Sequence, residues 1–471
     1  MRVLLINPPR ENEIIGNNPP IIEEKRGVNP PLGILYVAGY LEKYTDHTIQ
    51  IIDCQVERLD YAGLEERVWS LHPDVVGMTA MTMTLIDVIK TIDIVKRVDA
   101  GTQVVLGGPH VHIYPEETIH IQGVDFVVLG EGEECFKELL ENMDDLGKLR
   151  SISGLVFKDN GEVVNTGIGP AIEDLDALPF PARHLAPYKK YNSLLTTGNV
   201  VTTLFTSRGC PYQCTFCDRP HLGRRFRARS AINVVDEIEE CVNMGIRDFL
   251  FYDDTFAVNR KRVLDICDEI AGRRLKISWD IRTRVDTVDG ELLKKLKNAG
   301  CKAIHYGVEA GSDKILKILK KEINLGEAKQ IFDLTRRNGI ETLAYFMIGN
   351  PTENRDNIEE TFRVIKHLDP DYLHLTILTP FPGTEIYAEA LQQGIISKDC
   401  WREFAKNPTP DFVSPHWNEL FSREELNQLL VKGYRAFYLR PSYIMKRLIK
   451  VRTLGEFLRK ASAGLKVAVM K

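Results

Sequence analysis

The 471-residue chain contains no run of about 18 apolar residues, so no segment is expected to cross a membrane as a helix. Its opening apolar stretch, Met1 to Ile6, is too short for a signal peptide and stops at Pro8-Pro9. Basic residues are not in excess: 61 Lys and Arg face 66 Asp and Glu, and a net charge of -5 gives no footprint for nucleic acid. Paired cysteines are missing as well. Of the nine cysteines, Cys54, Cys135, Cys241, Cys267, Cys301 and Cys400 stand singly in segments patterned as helices or strands, the usage of a reducing compartment and not of a disulfide framework. Together these absences point to the cytoplasm.

The remaining three cysteines are concentrated. Cys210, Cys214 and Cys217 follow an apolar run, Val200 to Phe205, at C-x3-C-x2-C spacing, and a basic loop follows them. Three thiolates on one loop can converge on one metal centre, whereas a closed zinc site takes a fourth ligand. No second cysteine cluster supplies one. In a four-iron cluster the same shortage leaves one iron open for a ligand, so the spacing suggests chemistry rather than a staple.

Length implies two or three domains. Over residues 1–143, β-branched runs (Val3–Ile6, Ile49–Ile52, Val75–Met78, Val104–Leu106, Phe126–Leu129) alternate with helix-patterned segments, which predicts right-handed βαβ units and a doubly wound parallel sheet. Ligands of such sheets lie at the carboxyl ends of the strands. There the chain carries Asn7-Pro8-Pro9, Thr79-Ala80-Met81-Thr82 and Gly107-Gly108-Pro109-His110, readable as ligand loops or simply as tight turns. Residues 144–199 read as a connector with a hairpin at Asp159-Asn160-Gly161.

From 200 to 383 the alternation restarts and yields six βα units, the pattern of an open, partial (β/α)6 barrel of the TIM type. Unusual residues gather where its strands end: the cysteine loop, then Asp253-Asp254, Arg282 and Arg284, Glu309 to Ser312, Gly349 to Glu353, and Pro380 to Thr384. Residues 384–471 form a helical cover, with Trp401, Phe404, Phe412, Trp417 and Phe421 as its packing face. Between Arg440 and Lys471 nine Lys or Arg stand against one acid, Glu456, which reads as a solvated amphipathic pair or as a peripheral contact with an anionic membrane face.

The cysteine loop after a first barrel strand, together with Gly307-Val308-Glu309-Ala310-Gly311-Ser312 and Gly349-Asn350-Pro351, resembles the radical S-adenosylmethionine superfamily. The preceding domain, with Thr79 and Gly107-Gly108, is similar to a cobalamin-binding domain. The pair resembles the cobalamin-binding radical enzymes, a group that includes the anaerobic magnesium-protoporphyrin monomethyl ester cyclase and many carbon methyltransferases. The resemblance implies three cofactors: a 4Fe-4S cluster on Cys210, Cys214 and Cys217, S-adenosylmethionine on its open iron, and cobalamin. Reductive cleavage of the sulfonium to a 5'-deoxyadenosyl radical, with methyl transfer from methylcobalamin to an unactivated carbon, is the activity implied. Oxidation or ring closure of a lipid- or tetrapyrrole-like substrate is the alternative, and a non-catalytic cobalamin or cluster sensor is an alternative of another class.

By the same resemblance, Phe216, Arg282, Arg284, Glu309, Ser312, Gly349 and Pro351 are expected around S-adenosylmethionine, and Pro8, Thr79, Gly107, Gly108 and His110 around cobalamin. Phe216 reads equally as core packing. Asp253 and Asp254 are candidates for proton transfer or an amino-group contact, with a helix cap the simpler account of Asp254. Members that ligate cobalt from below carry Asp-x-His-x-x-Gly after the first strand, and Asn7-Pro8-Pro9-Arg10 has no histidine there, so a base-off cobalamin without a histidine beneath the metal is expected. Expected partners are a small-molecule or lipid-like substrate and a low-potential donor such as flavodoxin or ferredoxin.

Overall fold

The structure, a computed structural model, describes residues 1–14, 16, 27–193, 200–218 and 223–449. Seven strands form the first sheet: β1 (Arg2–Asn7), β2 (Thr48–Asp53), β3 (Val75–Thr79), β4 (Gln103–Gly107), β5 (Phe126–Val128), β6 (Leu155–Asp159) and β7 (Glu162–Asn165), in the order β2-β1-β3-β4-β5-β6-β7. The first five are parallel. Their apolar residues fill a core on each face, one against the helices Leu32–Tyr44 and Gly132–Asn142 and one against Tyr61–Leu71 and Leu85–Val98.

The hairpin expected in the connector does not stand apart. β6 pairs antiparallel with β5, and β7 with β6, so residues 155–165 extend the first sheet. The reason is local: Val128 and Leu155 pair in register, and the buried side chains of Leu155 and Phe157 join the same core as Phe126 and Val128. The rest of the connector is fastened from within. Buried Arg183 donates to Glu237 at 2.5 Å and to the carbonyl of Thr203 at 2.8 Å, while Arg229 pairs with the other Glu237 oxygen. Burial opposes the Glu237 charge, but Arg229 and Arg183 hold the carboxyl below its usual range.

A small pair, β9 (Ser207–Arg208) with β10 (Arg227–Ala228), brackets the cysteine loop. The second sheet is all parallel, β15-β14-β13-β12-β11-β8, built from β8 (Val201–Leu204), β11 (Asp248–Phe251), β12 (Ser278–Thr283), β13 (Cys301–Glu309), β14 (Glu341–Ile348) and β15 (Tyr372–Ile377). It curves as the expected six-unit partial barrel. Outward-facing Phe251 and Trp279 pack with Phe256, ring centroids 4.9 to 5.8 Å apart, and Trp279 donates to the carbonyl of Ala299. Burying side chains of this size stabilises by about 1.5–3 kcal/mol each, which makes the wall rigid enough to position its rim.

An open barrel leaves edge strands. On β15, the Tyr434 hydroxyl donates to the Leu375 carbonyl at 2.8 Å and accepts its N–H at 2.9 Å, and Tyr438 does the same for Leu373 at 3.0 Å each. Both tyrosines lie on the helix Arg423–Tyr438, four residues apart, matching two residues along the strand. The expected aromatic cover is present too: Trp401, Phe404 and Trp417 are buried, with Phe412 and Phe421 packed beside them. No described helix is long and apolar enough to cross a membrane.

Candidate active site

The cysteine loop is held from below by Asp253. Its buried carboxylate accepts from the N–H groups of Thr206 (2.8 Å) and Ser207 (2.5 Å) and from both hydroxyls (2.8 Å each). With these four bonds Asp253 acts as a strut for the loop, and its pull on Thr206 and Ser207 ends β8 at Leu204. Asp254 is exposed, its carboxyl raised first by partial desolvation and then by the Asp253 charge. It does not cap the next helical turn, where Thr255 is the N-cap residue and no side-chain bond is made.

Gly209 has φ 82°, and a Cβ there would meet the Arg225 carbonyl at 2.2 Å, so glycine alone lets the loop cross its own return segment. Thr215 fastens the far side, its N–H donating to the Leu319 carbonyl and its carbonyl accepting from Ile386. Cys214 is buried, Cys210 half-buried and Cys217 exposed. Cys210 Sγ lies 3.8 Å from Thr255 Oγ1. Burial pushes the Cys214 thiol up, the Glu309 carboxylate pushes the same way, and Lys321 and Arg284 pull it down. Among the described residues no three His, Cys, Asp or Glu groups are placed to hold a single metal ion. Three thiols on one loop, with two cations at the innermost, suit an anionic iron–sulfur cluster.

Around this loop the structure gathers part of the expected set. Arg284 stacks on Tyr212 (4.0 Å to the ring centroid), pairs with Asp286 at 2.7 Å and donates to the Lys321 carbonyl at 2.7 Å. Glu309 sits on a bulge of β13 at φ 74°, its Oε1 2.9 Å from Lys321 Nζ. Phe216 is half-buried against the barrel core.

Three further expected residues have other neighbours in the structure. Ser312 accepts from Asn357 at 3.3 Å, while neighbouring Gly311 packs on Thr361, so this turn leans onto the outer helix Arg355–Leu368. The side-chain face of Gly349 is occupied by Leu426, 2.9 Å from where a Cβ would stand. Arg282 lies below the rim, its guanidinium 3.8 Å from the Tyr252 ring centroid. Sequence reasoning missed Lys321, hidden in the polar run Lys320-Lys321-Glu322, and placed Glu353 on the rim without a role of its own. That residue is buried, accepts from Asn350 N–H at 2.9 Å and Asn350 Nδ2 at 3.0 Å, and has its carboxyl pushed up to about 7 by burial.

The carboxyl edge of the first sheet faces this rim. Gly383 stands against both Asp218 and Ile113, each 3.3 Å from its Cβ position, and His112 feels the Asp218 charge. Arg402 reaches back to Glu117 at 3.2 Å. Arg208, just before the cysteine loop, pairs with Glu133 and, at 3.4 Å, with Glu131, and Arg227 pairs with Glu131 at 2.6 Å. The acids come from the turn Gly130-Glu131-Gly132-Glu133, whose strand-to-helix position was the overlooked signal.

Of the expected cobalamin residues, Pro8 is buried and Thr79 and Gly107 sit half-exposed at strand ends. Gly108 has φ 99° with Thr79 Cγ2 2.7 Å from its Cβ position, so its glycine is required by the turn itself. His110 is fully buried, Nδ1 3.0 Å from Thr82 Oγ1, its pKa brought down to about 4 by burial. His110 Nε2 and His112 Nδ1 are buried with no hydrogen-bond partner among the described residues. A polar ligand in this crevice fits those two nitrogens.

Two family models match this division of the chain: the radical SAM superfamily over residues 204–365 and the B12 binding domain over residues 20–140. The chain belongs to the radical S-adenosylmethionine superfamily, in the branch whose members carry a B12 binding domain, and is an enzyme using a 4Fe-4S cluster, S-adenosylmethionine and cobalamin. It is 34% identical over 471 residues to an uncharacterized methyltransferase of Pyrococcus horikoshii, covering 99% of this chain and 98% of the relative. An anaerobic magnesium-protoporphyrin IX monomethyl ester cyclase of Cereibacter sphaeroides is 32% identical, over 89% of this chain and 68% of the cyclase. The methyltransferase TsrM of Kitasatospora setae, solved with cobalamin and a [4Fe-4S] cluster, shares the fold at a TM-score of 0.73 and 18% identity, over 94% of this chain and 90% of TsrM.

Proposed function

We propose that the protein methylates an unactivated carbon of a small molecule, with methylcobalamin as methyl donor. What supports this most is the facing of the two carboxyl edges, which brings the charge of Asp218, next to Cys217, to bear on His112 and sets Gly383 against both Asp218 and Ile113. When bound, the cofactors supply reductive cleavage of S-adenosylmethionine and a transferable methyl group. The chain's residues do the rest. Cys210, Cys214 and Cys217 hold the cluster, Lys321 and Arg284 balance its charge, and Arg284, Glu309 and Lys321 offer polar groups to the amino acid part of S-adenosylmethionine. Phe216 and Pro351 bound the nucleoside side. Pro8, Thr79, Gly107 and His112 line the cobalamin side, and the clamp from Arg208 to Glu131 and Glu133 keeps the two halves at fixed separation.

Incubation with methyl-labelled S-adenosylmethionine, a strong reductant and cell extract tests this. Label recovered in a carbon-bound methyl group, alongside 5'-deoxyadenosine, is expected; 5'-deoxyadenosine without methylated product would overturn methylation. Oxidative ring closure is the second reading, favoured by the 32% identity to the cyclase. Reduction requires a low-potential donor of the flavodoxin or ferredoxin kind. For peripheral membrane contact the described part of the tail offers little support: Arg440 and Lys446 pair with Asp369, and Arg447 with Asp371 and Glu341. The rest of the basic tail lies outside the described residues.

A further inference from the structure

Below the rim, the barrel lumen is polar. Along β14 and β15, outward residues are buried while inward Tyr345, His374 and Thr376 are half-exposed, as are Arg282 on β12 and Tyr252 after β11; Met347 on the same face is buried. This patch of the inner wall is therefore accessible to a ligand. At its floor His305 lies 3.6 Å from Asp280, and His305 Nδ1 lies 3.1 Å from the Tyr345 hydroxyl.

Arg282 differs from most of the wholly or partly buried arginines. Arg183, Arg208, Arg227, Arg229 and Arg284 each meet a carboxylate. Arg282 donates to the Phe251 carbonyl at 3.2 Å, lies over the Tyr252 ring and borders Tyr345, all neutral groups. Among the described residues it makes no ion pair; Asp280, two residues earlier on its strand, acts on it only through its charge and lies 3.6 Å from His305. A guanidinium held in place by neutral partners keeps a full charge and a planar fork for an incoming anion.

We infer that Arg282, framed by Tyr252, Tyr345 and His374, anchors a carboxylate on the substrate. The site offers one positive charge, that of Arg282: partial desolvation lowers the His374 pKa to about 4, and Asp280 adds negative charge beneath. That balance suits a singly charged carboxylate better than a phosphate. Arg282 lies two residues, about 6.6 Å, below Arg284 and the cluster loop, so a substrate fixed there presents its far end to the rim. Asn29 of the first domain, bonded to the Tyr252 hydroxyl at 2.6 Å, braces one wall.

This assignment rests on the radical-enzyme reading and departs from a contact between Arg282 and S-adenosylmethionine. The test compares benzoate with its neutral isostere benzamide on the reconstituted holoenzyme by calorimetry. Benzoate should bind about tenfold more tightly to the wild type, a preference erased in Arg282→Gln and only partly kept in Arg282→Lys, which retains charge without the fork. The affinity for S-adenosylmethionine should stay the same in both variants. Equal binding of the two probes to wild type, or a preference that survives Arg282→Gln, overturns the site; loss of S-adenosylmethionine binding in both variants assigns Arg282 to the cofactor instead. Absence of 5'-deoxyadenosine from the wild type would defeat the radical reading alone, because the benzoate comparison needs no turnover.

Discussion

Lys321 places its ammonium 2.9 Å from Glu309 Oε1, inside the space that a side chain on Gly307 would fill: a Cβ there would stand 2.4 Å from the carboxylate oxygen and 2.8 Å from the ammonium nitrogen. Gly307 thus leaves room for the ion pair. Gly307→Ala should push both side-chain ends aside, an overpacking cost of about 1–3 kcal/mol. Because Lys321 also lowers the Cys214 thiol pKa, Lys321→Gln should reduce iron and sulfide per chain after reconstitution. Unchanged denaturant midpoint in the first variant and unchanged iron in the second would refute the coupling.

Arg208 and Arg227 close on Glu131 and Glu133 across the two domains. Glu131→Gln with Glu133→Gln should leave two buried guanidinium groups uncompensated, at about 3 kcal/mol or more. Amide exchange should then quicken at both Gly130–Glu133 and Ser207–Gly209, ahead of the barrel core. Faster exchange confined to one side would mean the two turns are not coupled.

Glu353 carries a carboxyl raised to about 7 by burial. The folded chain therefore binds this proton where the unfolded chain has lost it, so the contribution is fully present below pH ~4.5 and lost as pH rises through ~7. Converted at 1.36 kcal/mol per pH unit, the span is about 3 kcal/mol. Chemical denaturation at pH 5 and pH 8 should show a smaller stability difference in Glu353→Gln than in wild type. Identical differences would mean that the carboxyl is already ionised at pH 5.

The first-strand loop holds no histidine, and Asn7 is spent on Asp53 (2.8 Å) and Gln55 (3.2 Å). His110 is tied to Thr82 and buried. The cobalt(II) form should give an electron paramagnetic resonance spectrum without nitrogen superhyperfine splitting. Splitting that disappears in His112→Gln would place a histidine on the metal and end the base-off expectation.

The fold was readable because its signals are periodic and local. Every parallel strand of the first sheet fell within a few residues of its apolar run, since Val, Ile and Leu on two-sided sheets leave near-continuous hydrophobic stretches. Local pattern could not say that Leu155 and Phe157 would complete the core beside Phe126, so the hairpin was assigned to a connector. The cysteine loop stood out through spacing alone. For Asp253, Ser312 and Gly349 the rim position is visible in sequence, but the direction each faces is set by partners such as Thr206, Asn357 and Leu426, which are distant along the chain. Lys321 was hidden because a lysine beside lysine and glutamate normally marks a solvated surface.

Tyr434 and Tyr438 occupy the hydrogen-bonding positions that a seventh strand would take along β15. A bare edge of this kind can recruit a strand from another molecule, and a phenol cannot propagate such pairing because it presents no further peptide. The tyrosine ladder therefore acts as insulation. It lets the barrel remain unclosed around a ligand without turning the same opening into a seed for polymerisation, and replacing both hydroxyls should surface first as self-association rather than as a loss of chemistry.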